Sequence, residues 1–445
     1  MASQQFYDRV DDFCDKLRQR RIEASLDAAK GTAELMRQLV TSQRLPDPQS
    51  LLAEVKNVGL RIQAAKPIEL VIGNIVRRVM HIIREEMEAD GEEQEDELEA
   101  VPERERPVGG LSKAFRAGPA ASGRAVSLHN LLDQGVFDQA VALETQYQQQ
   151  LQLQQPQRQL AVKQQESSDG GKGGGKRPAW GRKQEVIEGV NELIDELKDI
   201  DNAIANQAVD FIHANEVILT FGYSRTVLQF LKRAKERRDF QVVVAEAAPT
   251  FQGHQMAREL AEAGIQTTAI TDSAIYAMMA RVNKVVVTSH ALLANGGVMA
   301  PVGMRLVAMA AKRHSVPCVV LVGIYKLAPL FPHEPGVTFN DFKNPADILP
   351  YQDEAVLAGE LAAARSDAGE LGSGAGSMAE VEPAPASLQV HNPSYDYVPP
   401  ELVSLFITDH GTGFMPSYVY RLLAEFYHRQ DFRILSNDMI LHILR

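Results

Sequence analysis

The chain has 445 residues, 45% of them hydrophobic, and a formal net charge of −12. That length holds about two or three domains with sizeable cores, and the acidic balance argues against a general nucleic-acid binder, which carries a basic footprint. Cys14 and Cys318, far apart, are its only cysteines; they exclude a disulfide framework or zinc knuckle and suit a reducing compartment.

The first elements are helical. Phe6, Val10, Phe13 and Leu17 recur at helical spacing. Asp47–Pro48 supplies an N-cap and a first-turn proline ahead of Leu51, Leu52, Val55, Val58 and Ile62. A further helix opens at Pro67. Its residues Ile68, Val71, Ile72, Ile75, Val76, Val79, Ile82 and Ile83 form a stripe broad enough to require burial. Arg77, Arg78 and Arg84 fall on the other side and read as a solvated face. Residues 1–88 are therefore expected to form a helical N-terminal domain. Asp8 and Arg9 stand where a signal peptide needs an apolar core, and no uninterrupted apolar run reaches about 18 residues. The expectation is a cytosolic chain with no membrane segment.

Composition then changes. From Glu85 to Glu99 ten of fifteen residues are acidic, Gln146–Gln165 holds eleven glutamines in twenty, and 169–177 is Gly/Lys-rich. Such segments bury too little apolar surface to offset chain entropy. Residues 89–184 are expected to be a low-complexity, largely disordered insertion, with one amphipathic segment at Leu128–Leu143.

Residues 185–445 read differently. Short apolar strands at Val217–Phe221, Phe240–Ala245, Ile265–Ile270, Lys284–Thr288 and Cys318–Val322 alternate with helices starting near Ser224, His254, Asp272 and Val302. This alternation predicts parallel βαβ units, an α/β domain with a Rossmann-like parallel sheet. A flexible insertion is expected at about 362–386. A final strand, Leu402–Thr408, and helix, Ser417–Tyr427, follow it. In open sheets of this kind ligands bind at the carboxyl ends of the strands.

The loops at those ends are poor in reagents. Gly170-x4-Gly175-Lys176 imitates the start of a P-loop, but Arg177 replaces the magnesium-holding Ser/Thr and a glutamine tract replaces the preceding strand. It reads as linker. Gly411-Thr412-Gly413 follows a strand, with Pro416 in place of the third glycine of a dinucleotide fingerprint. Histidines 213, 254, 290, 314 and 333 show no metal-binding spacing. His254, after Gln252-Gly253, and His290, after a strand, are either crevice-lining or surface and capping residues. Arg225 follows Phe221-Gly222-Tyr223-Ser224 at a helix start, where backbone N–H groups attract anions; the alternative is an arginine bonded to a neighbouring carboxylate.

Several long segments, in order, resemble the alpha, beta and delta regulatory subunits of eukaryotic translation initiation factor 2B. They are Asn57-Val58-Gly59, Pro67-Ile68-Glu69-Leu70, Gly73-Asn74-Ile75-Val76-Arg77-Arg78, Ile218-Leu219-Thr220-Phe221-Gly222-Tyr223-Ser224-Arg225, Ala294-Asn295-Gly296-Gly297 and Asp396-Tyr397-Val398-Pro399-Pro400-Glu401. The resemblance covers about 1–88, 185–355 and 390–430. The wider family includes methylthioribose-1-phosphate and ribose-1,5-bisphosphate isomerases, and it implies four reactive positions. Here the cysteine position is Gly222, the aspartate position His290, the lysine position Pro301, and the arginine position before Pro249 is Ala248. Proton transfer between sugar carbons needs positioned acids and bases, and glycine has no titratable group.

The resemblance therefore implies a non-catalytic regulatory and scaffold subunit of the guanine nucleotide exchange factor for initiation factor 2. Exchange would lie in another subunit. Its partners would be the delta, alpha and catalytic-type subunits and initiation factor 2, chiefly through that factor's alpha subunit, with no direct nucleic-acid or membrane contact. No cofactor or metal is expected. A vestigial pocket would comprise Gly222, Tyr223, Ser224, Arg225, Gln252, Gly253, His254, Asp272, His290 and Asn295. The alternative is an aldose–ketose isomerase of a ribose 1-phosphate derivative, with Tyr223 or His290 replacing the thiol.

Overall fold

Runs of β-branched residues favour strands and the amphipathic stretches between them favour helices; the computed structural model follows that division closely. The structure describes residues 2–42, 48–99, 182–332, 340–350 and 389–432. Met1–Glu93 and Ala179–Arg445 form one compact unit, and Gln94–Pro178 a second. The segment 128–143, the glutamine tract, the Gly/Lys run, His333 and the 362–386 stretch lie outside the described residues.

The helices α1 (Ala2–Arg18), α2 (Ser25–Ser42), α3 (Pro48–Ala65), α4 (Leu70–Glu99) and α5 (Lys183–Asn206) come first. Their apolar stripes meet in one core that takes in Val10, Leu17, Leu39, Val55, Ile62, Ile75, Val79 and Val190. Three expectations need correction. First, α4 begins at Leu70, because Pro67–Glu69 is a turn whose Pro67 and Glu69 carbonyls accept from the Gln63 side-chain amide at 3.0 and 3.3 Å. Second, α4 continues through the acidic run to Glu99. Glutamate has good helix propensity, and extending an existing helix requires no new nucleus.

Third, the three arginines do not form a solvated face. Arg77 is 1% exposed and donates from Nε to the Asp431 carbonyl at 3.2 Å. Burial pushes its guanidinium down to about 10. Arg78 lies 4.3 Å from the Phe426 ring centroid. Arg84 grips the Asp431 carboxylate with two bonds of 2.9 Å. The C-terminal end of the described chain covers this face of α4, a contact between residues about 350 positions apart that periodicity does not encode.

The remaining elements are β1 (Val217–Phe221), β2 (Gln241–Ala245), β3 (Gln266–Ile270), β4 (Lys284–Thr288), β5 (Ala291–Leu293), β6 (Val298–Pro301), β7 (Cys318–Leu321), β8 (Leu327–Ala328), β9 (Tyr395–Val398), β10 (Leu405–Thr408) and β11 (Gly411–Phe414). α6 (Ala208–Phe211) precedes them, α7 (Arg225–Lys235), α8 (Gln252–Glu262), α9 (Ile275–Met279) and α10 (Met304–Arg313) run between them, and α11 (Val419–Phe426) follows. The larger sheet has the order β11-β10-β7-β4-β1-β2-β3. It is parallel except for β11, which pairs antiparallel with β10. Strand side chains alternate between its faces. Ile218, Val242, Val244, Val286, Val319 and Ile407 join the core shared with α1–α5, α7 and α8. Leu219, Val243, Val285, Val287, Val320 and Phe406 join a second core with α9, α10 and α11.

The smaller sheet, in the order β8-β5-β6-β9, has no counterpart in the sequence reading. Its strands run from two to four residues, too short to show a period, and β9 lies far along the chain from its partner β6. Among the described residues no helix is long and apolar enough to cross a membrane.

Candidate functional site

The parallel strands bring their carboxyl ends to one edge of the sheet. At the end of β1, Gly222 turns the chain in the left-handed region (φ +64°), where a Cβ would lie 3.3 Å from that of Ala247. Ser224 is extended and its Oγ accepts from the Val227 N–H at 3.3 Å, capping α7. Arg225 Nε donates to Asp201 at 2.9 Å and Thr226 Oγ1 to the same carboxylate at 2.7 Å. Arg225 thus takes the carboxylate-bonded role. Burial, reinforced by the nearby Glu259 carboxylate, to which the Tyr223 side chain is hydrogen-bonded, pushes the Tyr223 phenol up.

The end of β2 is equally committed. The Asp272 carboxylate accepts from the N–H groups of Ala247 and Ala248 at 2.9 and 2.7 Å. Gly253 presses α8 against β2: a Cβ there would sit 2.1 Å from the Ala245 carbonyl oxygen. Gln252 is exposed at the first turn of α8. His254 has its Nε2 3.4 Å from Glu246 with its side chain 55% exposed, and its ring stacks on Phe251. Eight of the ten candidate residues therefore sit at the ends of β1, β2 and β3.

The other two lie apart from that group. Asn295 occupies the β5–β6 hairpin loop, donating to the Tyr397 hydroxyl at 2.7 Å and accepting from the Gly297 N–H at 3.0 Å. His290 follows β4 and is sealed under the helices. Its Nδ1 is 3.2 Å from Ser25 Oγ, its Nε2 3.4 Å from the Ile68 carbonyl and 3.7 Å from Glu69 Oε1, and its ring stacks on Tyr395 at 4.4 Å. Burial pulls its pKa down against the opposing pull of Glu69.

Sequence reasoning missed the neighbours that complete this cluster. Glu69 is wholly buried and bonds Lys66 at 3.2 Å. Lys326 donates to the Ser289 carbonyl at 2.7 Å, and burial pushes its amine down to about 8, with Glu69 and Asp201 opposing the shift. Burial, and then Asp201 and Glu69, push the Tyr325 phenol up. The only local signal was Glu69 within Pro67-Ile68-Glu69-Leu70; nothing near Lys326 marks it out.

The arrangement binds the helices to the carboxyl ends of β4 and β7. Apart from the exposed Gln252, each polar side chain named on the β1–β3 edge caps, pairs or hydrogen-bonds within the fold. The four positions that the resemblance to isomerases expects to be reactive hold Gly222, Ala248, His290 and Pro301. Of these, His290 alone has a titratable side chain; it is 9% exposed and burial lowers its pKa.

A sequence model described as the initiation factor 2 subunit family matches residues 21–415. The chain is 35% identical over 416 residues to "Translation initiation factor eIF2B subunit beta" of Dictyostelium discoideum, covering 93% of this chain and 94% of that protein. It is 33% identical over 433 residues to the protein of the same name from Schizosaccharomyces pombe, covering 96% and 97%. A chain in the crystal structure of the tetrameric eIF2B-beta2-delta2 complex from C. thermophilum matches with a TM-score of 0.58 at 22% identity, covering 96% of this chain and 97% of that one, a likeness of fold. With a family match along most of its length and relatives above 30% identity over nearly all of it, the chain belongs to the initiation factor 2 subunit family.

Proposed function

We propose that the chain is a non-catalytic regulatory and scaffold subunit of the guanine nucleotide exchange factor for translation initiation factor 2. The observation that carries this reading is a sheet edge with the topology of a ligand crevice whose polar side chains, the exposed Gln252 apart, are taken up in capping and pairing. Near full-length similarity to proteins named as the beta subunit supports it. In this proposal exchange belongs to a different subunit. The α/β domain, residues 185–445, pairs with a delta-type subunit and assembles with alpha and catalytic-type subunits. The name of the tetrameric beta–delta structure supports such pairing. The helical domain, residues 1–88, helps present a surface to the alpha subunit of initiation factor 2 in the cytosol. Control by phosphorylation needs only a difference in affinity between the two states of that factor.

The test is release of labelled GDP from initiation factor 2. The chain alone is expected to leave the intrinsic rate unchanged, and a reconstituted complex lacking it to lose response to the phosphorylated factor. Release accelerated by the isolated chain would overturn the proposal.

A further inference from the structure

Away from the strand ends, α1, α2 and α5 enclose an open cleft of about 500 Å³. Phe6 and Ile187 give it an apolar side continuous with the helical core. Its polar lining is rich in donors. Arg9 Nη1 donates to the Gln38 side-chain carbonyl at 3.0 Å, and Arg37 Nη1 donates to that of Asn191 at 3.4 Å. Each amide thus spends its acceptor on an arginine and keeps its NH2 group. Neither arginine has an ion-pair partner among the described residues, and none of the described residues lining the cleft is acidic. A guanidinium carries five N–H donors and no acceptor, so most of this capacity is unspent. The carbonyls that end α2 oppose an anion, but Lys183 Nζ donates to the Thr41 carbonyl at 3.4 Å and offsets them. The cleft is therefore cationic and short of acceptors, on a chain of net charge −12.

We infer that this cleft binds a small organic phosphate, its phosphate held by Arg9 and Arg37 and its apolar body against Phe6 and Ile187. Phosphate oxygens only accept, and they match the guanidinium fork in geometry and charge. The free NH2 groups of Gln38 and Asn191 add neutral donors beside the two forks. The volume lies in the range of small-molecule sites and far exceeds what a bare phosphate fills, so an organic group belongs to the ligand. The site is separate from the strand ends, where Arg225 is already paired with Asp201. It asks no chemistry of the chain and does not depend on the regulatory-subunit reading. A ligand there contacts three helices at once and stabilises them by linkage.

The experiment titrates phenyl phosphate and inorganic phosphate into the full chain by calorimetry at two salt concentrations. Three variants are compared with the unmodified chain: Arg9→Gln, Arg37→Gln and, at the strand ends, Arg225→Gln. Phenyl phosphate is expected to bind one per chain, more tightly than inorganic phosphate, to raise the melting temperature, and to weaken as salt rises. Arg9→Gln and Arg37→Gln should each weaken it at least about tenfold, the loss of a charge-assisted hydrogen bond, while Arg225→Gln leaves it unchanged. Arg9 is exposed and Arg37 half-buried; should Arg37→Gln melt early, Arg9→Gln decides alone. Four results would each overturn the inference: no saturable binding at millimolar phenyl phosphate, equal binding by Arg9→Gln, a loss confined to Arg225→Gln, which places the ligand at the strand ends, or inorganic phosphate binding as tightly as phenyl phosphate.

Discussion

Replacing Asp431 by alanine tests whether the arginines of α4 are structural. The Asp431 side chain is wholly buried and Arg84 is 20% exposed; the pair is bidentate at 2.9 Å for both bonds. Removing one partner of a buried pair costs roughly 3–5 kcal/mol, because the other charge is left desolvated. Water reaches Arg84 in part, so the expected loss is at the lower edge, roughly 2–3 kcal/mol. The Arg77 bond to the Asp431 backbone carbonyl survives the substitution and limits the damage. In a domain of this size about 1 kcal/mol moves the melting temperature by a few degrees, so a fall of roughly 5–10 °C is expected. A double-mutant cycle with Arg84→Ala isolates the pair, and its coupling energy should exceed about 1 kcal/mol. Urea unfolding of the four proteins supplies the numbers. If Asp431→Ala and Arg84→Ala each cost less than about 0.5 kcal/mol, the level of an ordinary surface change, the C-terminal segment is not holding α4.

Four further outcomes follow from the site. His290, whose pKa is lowered mainly by burial, binds its proton more readily in the unfolded chain, where a histidine titrates near about 6.5; its contribution to stability is therefore full above that pH and lost as the pH falls below it. His290→Phe should flatten the decline in stability between about pH 7 and 5, and a parallel pair of pH profiles would refute the assignment. The Lys326 amine, pushed down to about 8, should show its NMR titration midpoint there rather than in the ordinary lysine range; the same sign applies, with stability rising as the amine loses its proton. Gly253→Ala must displace the Ala245 carbonyl and should cost more than about 2 kcal/mol in urea unfolding. Arg225→Ala, by contrast, breaks a pair whose arginine is half exposed and should cost under about 1 kcal/mol.

Further contacts tie the helices to the sheet. Asn74 Nδ2 bonds the Tyr325 carbonyl at 3.0 Å, and the Tyr427 hydroxyl bonds the Leu327 carbonyl at 2.7 Å. With Glu69, His290, Lys326 and Asp431, these contacts fasten helical and sheet elements into one compact body.

Local chemistry determined much of this protein. The β1 bounds Val217–Phe221 and the β4 bounds Lys284–Thr288 were legible because β-branched runs end sharply at Gly222 and at Ser289-His290. Ser224 declared the start of α7 because its hydroxyl can satisfy a free N–H of the first turn. The absence of a thiol or carboxylate at positions 222 and 290 was equally plain from the residues themselves. Tertiary structure alone decided the rest. Whether Arg77 and Arg84 meet water depends on Asp431, hundreds of residues away. The smaller sheet exists because β9 returns to β6, and strands of two to four residues carry no readable period. The Glu69–His290–Lys326 cluster joins three separate segments, so its burial, and with it the lowered pKa of His290 and of Lys326, arise only once the helices close over the ends of the strands.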